Sequence, residues 1–186
     1  MTITPWPLIS SQRVFETGLL RVMRDRARSP RTGGERDFDV IQMVDWLLVV
    51  ALTADGRLVM VRQYRHGSRE AGLEVPGGLH DGAGTEQQGA ARELTEETGY
   101  GGGVWRTLGT VRPQPALFSN RAWIFLAQGV RPTTATAPDA GEDIEVVLLG
   151  AREIPLRIAS GEINNAMTIA ACALAHYGGY LKENKP

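Results

Sequence analysis

The most informative stretch of the chain reads Arg92-Glu93-Leu94-Thr95-Glu96-Glu97-Thr98-Gly99-Tyr100, and it follows Gly77-Gly78 after thirteen further residues. On an α-helix the three glutamates Glu93, Glu96 and Glu97 fall within an arc of about 100°, because successive residues are rotated by about 100°. Carboxylates so close together repel one another, whereas a bound Mg²⁺ would use them as oxygen ligands. The pattern therefore predicts either a solvated acidic face or a divalent-metal site.

The order of these residues resembles the Nudix box, Gly-x5-Glu-x7-Arg-Glu-U-x-Glu-Glu-x-Gly-U, in which U is a bulky apolar residue. Gly78 takes the place of the first glycine, Arg92 and Glu93 follow at the expected spacing, and Tyr100 fills the last U. The chain is therefore similar to the Nudix hydrolase family. This resemblance implies a hydrolase that uses Mg²⁺, with Mn²⁺ as a substitute, and it favours the metal-site interpretation.

One position departs from the box. Residue 84, where the box has its first glutamate, is Gly84, and Glu86 stands two positions later. In the family this glutamate supports the loop and the box arginine, so Arg92 is expected to brace the loop. Loss of the carboxylate is expected to lower rate and metal affinity, and Gly84→Glu to raise one or the other. A shifted loop in which Glu86 substitutes remains an alternative.

Length and composition indicate an ordinary globular chain of one domain, with 186 residues, 42% hydrophobic residues and a net charge of −1. The single cysteine, Cys172, excludes an intramolecular disulfide and a cysteine zinc site, and its apolar neighbours predict a buried position. The cations are 18 arginines and 2 lysines. This bias suits phosphate binding, but genome base composition produces the same bias.

Two classes of protein are disfavoured by the charge and hydropathy patterns. A balanced charge without a basic stripe argues against nucleic-acid binding. The sequence has no basic N-terminal segment followed by an apolar core, and no run near the roughly 18 apolar residues of a membrane span. We therefore expect a cytoplasmic protein without a membrane partner.

Strands are predicted along most of the chain. Residues 13–45 alternate loosely between apolar and polar around a turn at 29–34, which predicts a hairpin. Residues 46–52 form a continuous apolar run, as in a strand buried on both faces. The other predicted strands cover residues 57–64, 73–76, 104–112, 121–128 and 143–149.

Two helices complete the predicted layout. Thr85 and Gln88 form a capping-box pattern at the start of the box helix, and Gly99 ends it. Its predicted inner face consists of Ala90, Ala91, Leu94 and Thr98, with the glutamates outward. Residues 163–181 repeat apolar side chains at helical spacing. The fold class predicted is α/β (α+β), an α/β/α sandwich with a mixed sheet, with an N-terminal β-hairpin in residues 1–45 and a Nudix domain in residues 46–186.

Segments outside the box resemble the ADP-ribose pyrophosphatase branch of the family, which also hydrolyses other nucleoside diphosphate sugars. Val61-Arg62-Gln63-Tyr64-Arg65 is similar to that branch's strand before the box, which implies that Arg65 contacts substrate phosphate. Leu73-Glu74-Val75-Pro76-Gly77-Gly78 resembles its entry into the metal loop. Residues 113–121 are similar to its Pro-x-Pro-Gly and Ser-Asn segment, with Pro115 as a substrate-binding position and Ala116 in place of the usual glycine. Residues 161–166 and the helix after them match its closing helix.

The resemblance also assigns the chemistry. Glu93 and Glu97 are the first candidates for metal ligands, followed by Glu96, with the Gly77 carbonyl as a further ligand. In this branch an acid from a mobile loop takes the proton of the attacking water, and Glu142 is the candidate here. Three other acids of that loop stay open as alternatives, namely Asp139, Asp143 and Glu145. If none of them acts as the base, Glu96 is the next candidate.

The expected function is Mg²⁺-dependent cleavage of ADP-ribose or another nucleoside diphosphate sugar to a nucleoside monophosphate and a sugar phosphate. A homodimer is expected, because the N-terminal hairpin of this branch commonly packs against a second subunit. One alternative is a hydrolase that removes nucleoside triphosphates or modified nucleotides. A second is a catalytically weak nucleotide-binding sensor, which only Gly84 supports.

Overall fold

The computed structural model describes residues 2–137 and 143–181. In these residues the chain forms β-strands and α-helices in an order that begins with strands and ends with helices. The strands are β1 (Leu8–Glu16), β2 (Leu20–Arg28), β3 (Glu35–Met43), β4 (Trp46–Thr53), β5 (Leu58–Arg65), β6 (Glu70–Glu74), β7 (Gly77–Leu79), β8 (Tyr100–Gly101), β9 (Val104–Val111), β10 (Ala122–Pro132) and β11 (Ile144–Leu149). The helices are α1 (Glu86–Thr98), α2 (Glu153–Ala159) and α3 (Ala166–Tyr177).

The chain divides into two compact units. The first unit contains residues 1–44 and 112–121, and the second contains the remainder. In the first unit β1, β2 and β3 form an antiparallel sheet in that order. The hairpin predicted for residues 13–45 corresponds to β2 and β3. Strand β1 was not predicted, because all nine of its residues are exposed and its sequence has no buried face to mark it.

The second unit is built on a mixed sheet with the strand order β11-β5-β4-β10-β8. Strands β4 and β10 run parallel, and the other neighbours are antiparallel. Strands β6, β7 and β9 add to this sheet by pairing with β5, β4 and β10, respectively. As predicted, β4 is a buried strand, and its residues 47–53 are all buried.

Alternating side chains of the sheet pack against helices on both faces. Leu47, Val49 and Ala51 of β4 join Ala90 and Leu94 of α1 in one core cluster. On the other face, the even-numbered residues of β4 and β5 form a second cluster with α2 and α3. This layering confirms the predicted sandwich. The seven-residue helix α2 was missed, because so short a segment carries little periodicity.

Helix α3 lies within the segment predicted as helical. It carries Cys172 in the second cluster, where burial raises the pKa of the thiol to about 11. Asn165 caps its first turn by accepting hydrogen bonds from the nitrogens of Met167 and Thr168. None of the helices in residues 2–137 and 143–181 is both long and apolar enough to cross a bilayer.

Helix α1 begins and ends as its sequence predicts. The Thr85 side chain accepts from the nitrogen of Gln88, the Gln88 side chain accepts from the nitrogen of Thr85, and Gly99 adopts a left-handed C-cap. The predicted inner face needs one correction. Glu97 is buried rather than outward, whereas Ala91 is only partly buried. The reason is that Glu97 has a hydrogen-bond partner in strand β7.

Candidate active site

The buried carboxylate of Glu97 is joined to the start of strand β7. Its Oε2 accepts a hydrogen bond from the main-chain nitrogen of Gly77 at 2.9 Å. A side chain at Gly77 would place its Cβ 2.0 Å from the carbonyl oxygen of Leu47, so only glycine allows this close approach to β4. The sequence Pro76-Gly77-Gly78 therefore brings the main chain close enough to bind a helix carboxylate.

Glu93 lies against the next residue of β7. A Cβ at Gly78 would be 2.5 Å from the carboxyl carbon and from both carboxyl oxygens of Glu93. The missing side chain of Gly78 thus leaves the space that the Glu93 carboxylate occupies. Glu93 and Glu97 lie one helical turn apart and converge on two consecutive glycines.

Glu96 is placed differently from the other two glutamates. Its side chain is exposed, and its main-chain oxygen accepts a hydrogen bond from the nitrogen of Ala137 at 2.8 Å. Within residues 2–137 and 143–181, no group of three or more His, Cys, Asp or Glu side chains has an arrangement that could hold a metal. Glu96 as a metal ligand or base therefore stays a prediction.

The pair Glu93 and Glu97 nevertheless suits a hard divalent cation. Mg²⁺ in proteins keeps several waters and is commonly bound by one or two carboxylates together with substrate phosphates. Two carboxylates that meet a glycine main chain, with no side chain at Gly78 to fill the space, provide oxygen donors of this kind. The residues present thus fit a Mg²⁺ site of few protein ligands.

Arg92 binds Asp81, and Glu86 does not replace the missing box glutamate. Nη2 of Arg92 donates to Oδ1 and Oδ2 of Asp81 at 2.9 and 2.8 Å. Arg92 also donates to the carbonyl oxygen of Ala83. In the part of the chain that the structure describes, Arg92 and Glu86 form no ion pair. The expected brace on the loop is therefore present, but its carboxylate comes from three positions before Gly84.

The lowered pKa of Asp81 agrees with its contact with Arg92. The main-chain nitrogen of Ala83 donates to Oδ1 of Asp81 at 2.8 Å. This hydrogen bond, together with the charge of Arg92, holds the pKa of Asp81 below its usual range. Asp81 is consequently ionised at neutral pH.

Arg65 lies on the same face of the sheet as α1 and is paired there. Its Nε and Nη2 donate to the two carboxyl oxygens of Glu74 at 3.2 and 2.8 Å. The Glu74 side chain is only 7% exposed, whereas that of Arg65 is 35% exposed. A two-point contact of this kind fixes the plane of the guanidinium group. Arg65 therefore presents a fixed positive charge that solvent can reach.

The four acids proposed as general base have different positions. Glu142 and Asp139 lie outside the described residues, and Asp143 is exposed. Glu145 of β11 pairs with Arg62 at 3.1 Å. Alternation along β11 puts residues 146 and 148 in the α1 cluster, so Glu145 points to the opposite face. The structure therefore separates Glu145 from the box glutamates.

Pro115 belongs to the first unit, whereas the other candidate residues described here belong to the second. It lines a concavity of about 290 Å³ whose other walls are formed by the segment 116–119, Val40 and Arg112. Nη1 of Arg112 donates to the carbonyl oxygen of Ser119 at 2.8 Å, which joins the two ends of residues 112–119. Pro115 as a substrate contact stays a prediction.

Two residues of the site were missed by sequence reasoning. Asp81 and Glu74 were not proposed, because neither belongs to the fixed positions of the box. Asp81 could have been proposed because it is an acidic residue three positions before Gly84, in the loop that lacks the box glutamate. For Glu74 the available signal was an acidic residue in an otherwise apolar segment, Leu73 to Pro76. A buried acid of this kind needs a cationic partner, and Arg65 is that partner.

Comparison with known proteins gives consistent matches. The sequence pattern of the NUDIX domain matches residues 44–168. An ADP-ribose pyrophosphatase of Mycobacterium tuberculosis (strain ATCC 25618 / H37Rv) is 31% identical over 90% of this chain and 82% of its own length. A methanol dehydrogenase activator of Bacillus methanolicus is 24% identical over 88% of each chain. A crystal structure of an ADP compounds hydrolase superposes with a TM-score of 0.81 at 20% identity and covers 96% of each chain, which supports the same fold.

Proposed function

Because this chain belongs to the NUDIX family and is a pyrophosphatase of that family, we propose that it cleaves ADP-ribose or another nucleoside diphosphate sugar with the help of Mg²⁺. The products are a nucleoside monophosphate and a sugar phosphate, and Mn²⁺ can substitute for Mg²⁺. The observation that carries this proposal is the convergence of Glu93 and Glu97 on Gly77 and Gly78.

The reaction breaks one phosphoric anhydride bond. When bound, the cation neutralises pyrophosphate oxygens and lowers the pKa of a water molecule. Glu93, Glu97 and the carbonyl of Gly77 would hold it. Glu142 accepts a proton from the water as the water oxygen attacks phosphorus, and the bridging oxygen leaves with the second phosphate. General-base assistance of this kind contributes roughly 10²- to 10⁴-fold.

Arg65 supplies a positive charge for a substrate phosphate. Its contact with Glu74 uses Nε and Nη2 and fixes the guanidinium plane before substrate binds. A group that is already oriented loses less conformational entropy on binding. The shared position of Arg65 and α1 on one face of the sheet supports this role.

The proposed substrate class rests on the relatives. Two relatives match almost the same share of the chain, and one is an ADP-ribose pyrophosphatase while the other is a methanol dehydrogenase activator. The share of the chain that is matched therefore does not select the substrate. The higher identity belongs to the ADP-ribose pyrophosphatase, which favours the nucleoside diphosphate sugar.

A homodimer accounts for the apolar side chains of the first unit. Strand β1 and its neighbours expose Leu8, Ile9, Phe15 and Phe38. Apolar side chains gathered on one sheet mark interaction surfaces more often than scattered ones do. The occupant we propose is the same sheet of a second copy. Light scattering of the purified protein should give twice the mass of one chain, and a monomer at all concentrations would contradict the dimer.

The cytoplasmic location remains a prediction from the sequence.

Turnover of a nucleotide panel tests the substrate class. The panel contains ADP-ribose, UDP-glucose, dGTP and 8-oxo-dGTP, each with Mg²⁺ or with EDTA, and Glu97→Gln serves as the inactive control. We expect the highest kcat/KM on a nucleoside diphosphate sugar and no turnover with EDTA. Preference for a triphosphate would favour the alternative of a hydrolase that removes nucleoside triphosphates or modified nucleotides. Binding without turnover would favour the nucleotide-binding sensor.

A further inference from the structure

Strand β7 and the loop that joins it to α1 contact the helix at three points. Gly77 binds Glu97, Gly78 packs against Glu93, and Arg92 binds Asp81. The first two contacts involve the carboxylates that would hold the metal. The contact between Arg92 and Asp81 involves neither of these carboxylates. It lies in the loop where Gly84 stands in place of the box glutamate.

We propose that Asp81 is a positioning residue of the metal site, which replaces the carboxylate absent at Gly84 by binding Arg92. The inference rests on the metal site of the proposed function. Asp81 acts through Arg92 and contacts neither metal nor substrate. Its effect is to keep the loop of residues 80–85 against the helix, and with it the adjoining β7 residues Gly77 and Gly78 next to Glu97 and Glu93.

The conformation of Gly84 explains why the carboxylate has moved. Gly84 has φ = +74°, a left-handed conformation that side chains other than glycine adopt at a cost. A Cβ there would lie 2.6 Å from Oε1 of Gln88, the atom that caps the nitrogen of Thr85. The helix cap thus occupies the space into which a side chain at position 84 would extend.

The contacts of Asp81 make it suited to the replacement. Both of its oxygens meet Nη2 of Arg92, and Oδ1 also accepts the nitrogen of Ala83. Ala83 in turn accepts from Arg92 through its carbonyl oxygen. One carboxylate therefore closes a ring of contacts across residues 81–83 and the helix.

An exposed ion pair without a role in the site is the competing explanation. The side chains of Arg92 and Asp81 are 43% and 57% exposed, and exposed pairs contribute little to global stability. Global stability therefore cannot distinguish the two explanations. Metal affinity and local opening of the loop can, because a positioning role requires both to change.

The test compares Asp81→Asn with Glu86→Gln. Each substitution removes one negative charge near the start of α1, but only Asp81 is paired with Arg92. Two measurements are made, namely Mn²⁺ affinity by titration calorimetry without substrate and amide hydrogen exchange of residues 79–85 without metal. Partners outside the ligand set are typically worth 10- to 100-fold in metal affinity. Because Asp81 acts through Arg92, we expect a loss of about 5- to 20-fold, with faster exchange in the loop.

A double variant tests the coupling. If Asp81 acts through Arg92, then Asp81→Asn combined with Arg92→Lys should weaken Mn²⁺ binding hardly more than Arg92→Lys alone. Additive losses would overturn the inference. Equal affinities and equal exchange in Asp81→Asn and Glu86→Gln would also overturn it.

The outcomes separate this inference from the proposed function. If the wild-type protein binds no Mn²⁺, the metal site itself fails, whereas the exchange measurement without metal still shows whether Asp81 holds the loop. Faster exchange in Asp81→Asn alone would then support the brace and leave only its link to a metal refuted. If the wild type binds Mn²⁺ and Asp81→Asn binds it equally well, the positioning role fails.

Discussion

The main-chain nitrogen of Gly77 and the carboxylate of Glu97 are hydrogen-bonded at 2.9 Å, although twenty residues separate them in sequence. The contact joins the start of strand β7 to the last turn of α1. A buried carboxylate needs such a donor, because an unpaired charge in the interior is strongly destabilising. The proposed metal-binding role of Glu97 and its observed hydrogen bond to Gly77 therefore fall on one side chain.

Replacement of the two converging glutamates should abolish most activity. Glu93→Gln and Glu97→Gln each remove an anionic oxygen while keeping the size of the side chain, and Glu97→Gln also keeps an acceptor for the nitrogen of Gly77. We expect kcat to fall by roughly 10²-fold or more, because the cation supplies several kcal/mol of transition-state stabilisation. Steady-state kinetics at saturating Mg²⁺ measure the loss, and circular dichroism checks the fold. Near-wild-type turnover in both variants would refute the metal assignment.

Restoring the box glutamate should not improve the enzyme. From the sequence alone, Gly84→Glu was expected to tighten Mg²⁺ binding or to raise turnover. The left-handed conformation of Gly84 reverses that expectation, and a side chain there costs about 1–2 kcal/mol of folding free energy. Gly84→Ala is the matched control for strain without a carboxylate. Urea unfolding measures the stability of both variants, and Mg²⁺ titration measures their metal affinity. Tighter Mg²⁺ binding by Gly84→Glu than by Gly84→Ala would contradict the prediction and show that the carboxylate reaches Arg92.

The general base should be found among Glu142, Asp143 and Asp139, and not at Glu145. Glu142→Gln is expected to lower kcat by about 10²- to 10⁴-fold with little change in KM. Glu145→Gln should leave kcat within about twofold of wild type, because Glu145 points away from α1 and pairs with Arg62. Pre-steady-state and steady-state rates on the best substrate are compared for Glu142→Gln, Glu145→Gln, Asp139→Asn and Asp143→Asn. A loss below tenfold at Glu142 would remove it from the role, and if none of the loop acids exceeds tenfold, Glu96 becomes the leading candidate.

Arg65 should affect substrate binding more than the chemical step. Arg65→Lys keeps the charge but loses the two-point contact with Glu74. We expect KM to rise by about tenfold, which corresponds to roughly 1.4 kcal/mol, with a smaller change in kcat. Arg65→Ala should in addition destabilise the fold by about 1–3 kcal/mol, because Glu74 would remain buried without its partner.

A control with Arg57 separates substrate binding from general charge. Arg57 forms an exposed pair with Asp55 at the turn before β5. Arg57→Lys should change neither KM nor stability measurably, since exposed pairs contribute little. Unchanged KM in Arg65→Lys would show that Arg65 does not contact the substrate.

Local sequence was sufficient to predict the box helix. The cap formed by Thr85 and Gln88 and the stop at Gly99 depend on residues within one turn of each other, so their spacing alone specifies the contact. The buried strand β4 was equally clear, because seven consecutive apolar residues from Trp46 to Leu52 leave no solvated face. Both features reflect interactions between residues that are close in the chain.

Short or exposed elements could not be predicted in the same way. Strand β1 has no buried residue, and α2 is only seven residues long. The hydrophobic pattern of a sequence reflects which side chains are buried. An element that has no buried face, or that is shorter than two helical turns, therefore shows little of this pattern. Their existence depends on the neighbouring strand or on the core that they cover.

Residue spacing along the chain is enough to predict a helix that carries Glu93 and Glu97 on adjoining turns and follows a pair of glycines. The tertiary fold selects the partners of these side chains. It turned Glu97 toward Gly77, gave Arg92 the carboxylate of Asp81, joined Arg65 to Glu74, and put Glu145 on the opposite face of the sheet. Such partners are set by strand register and loop path, which depend on contacts between distant residues, and no spacing along the chain encodes them directly.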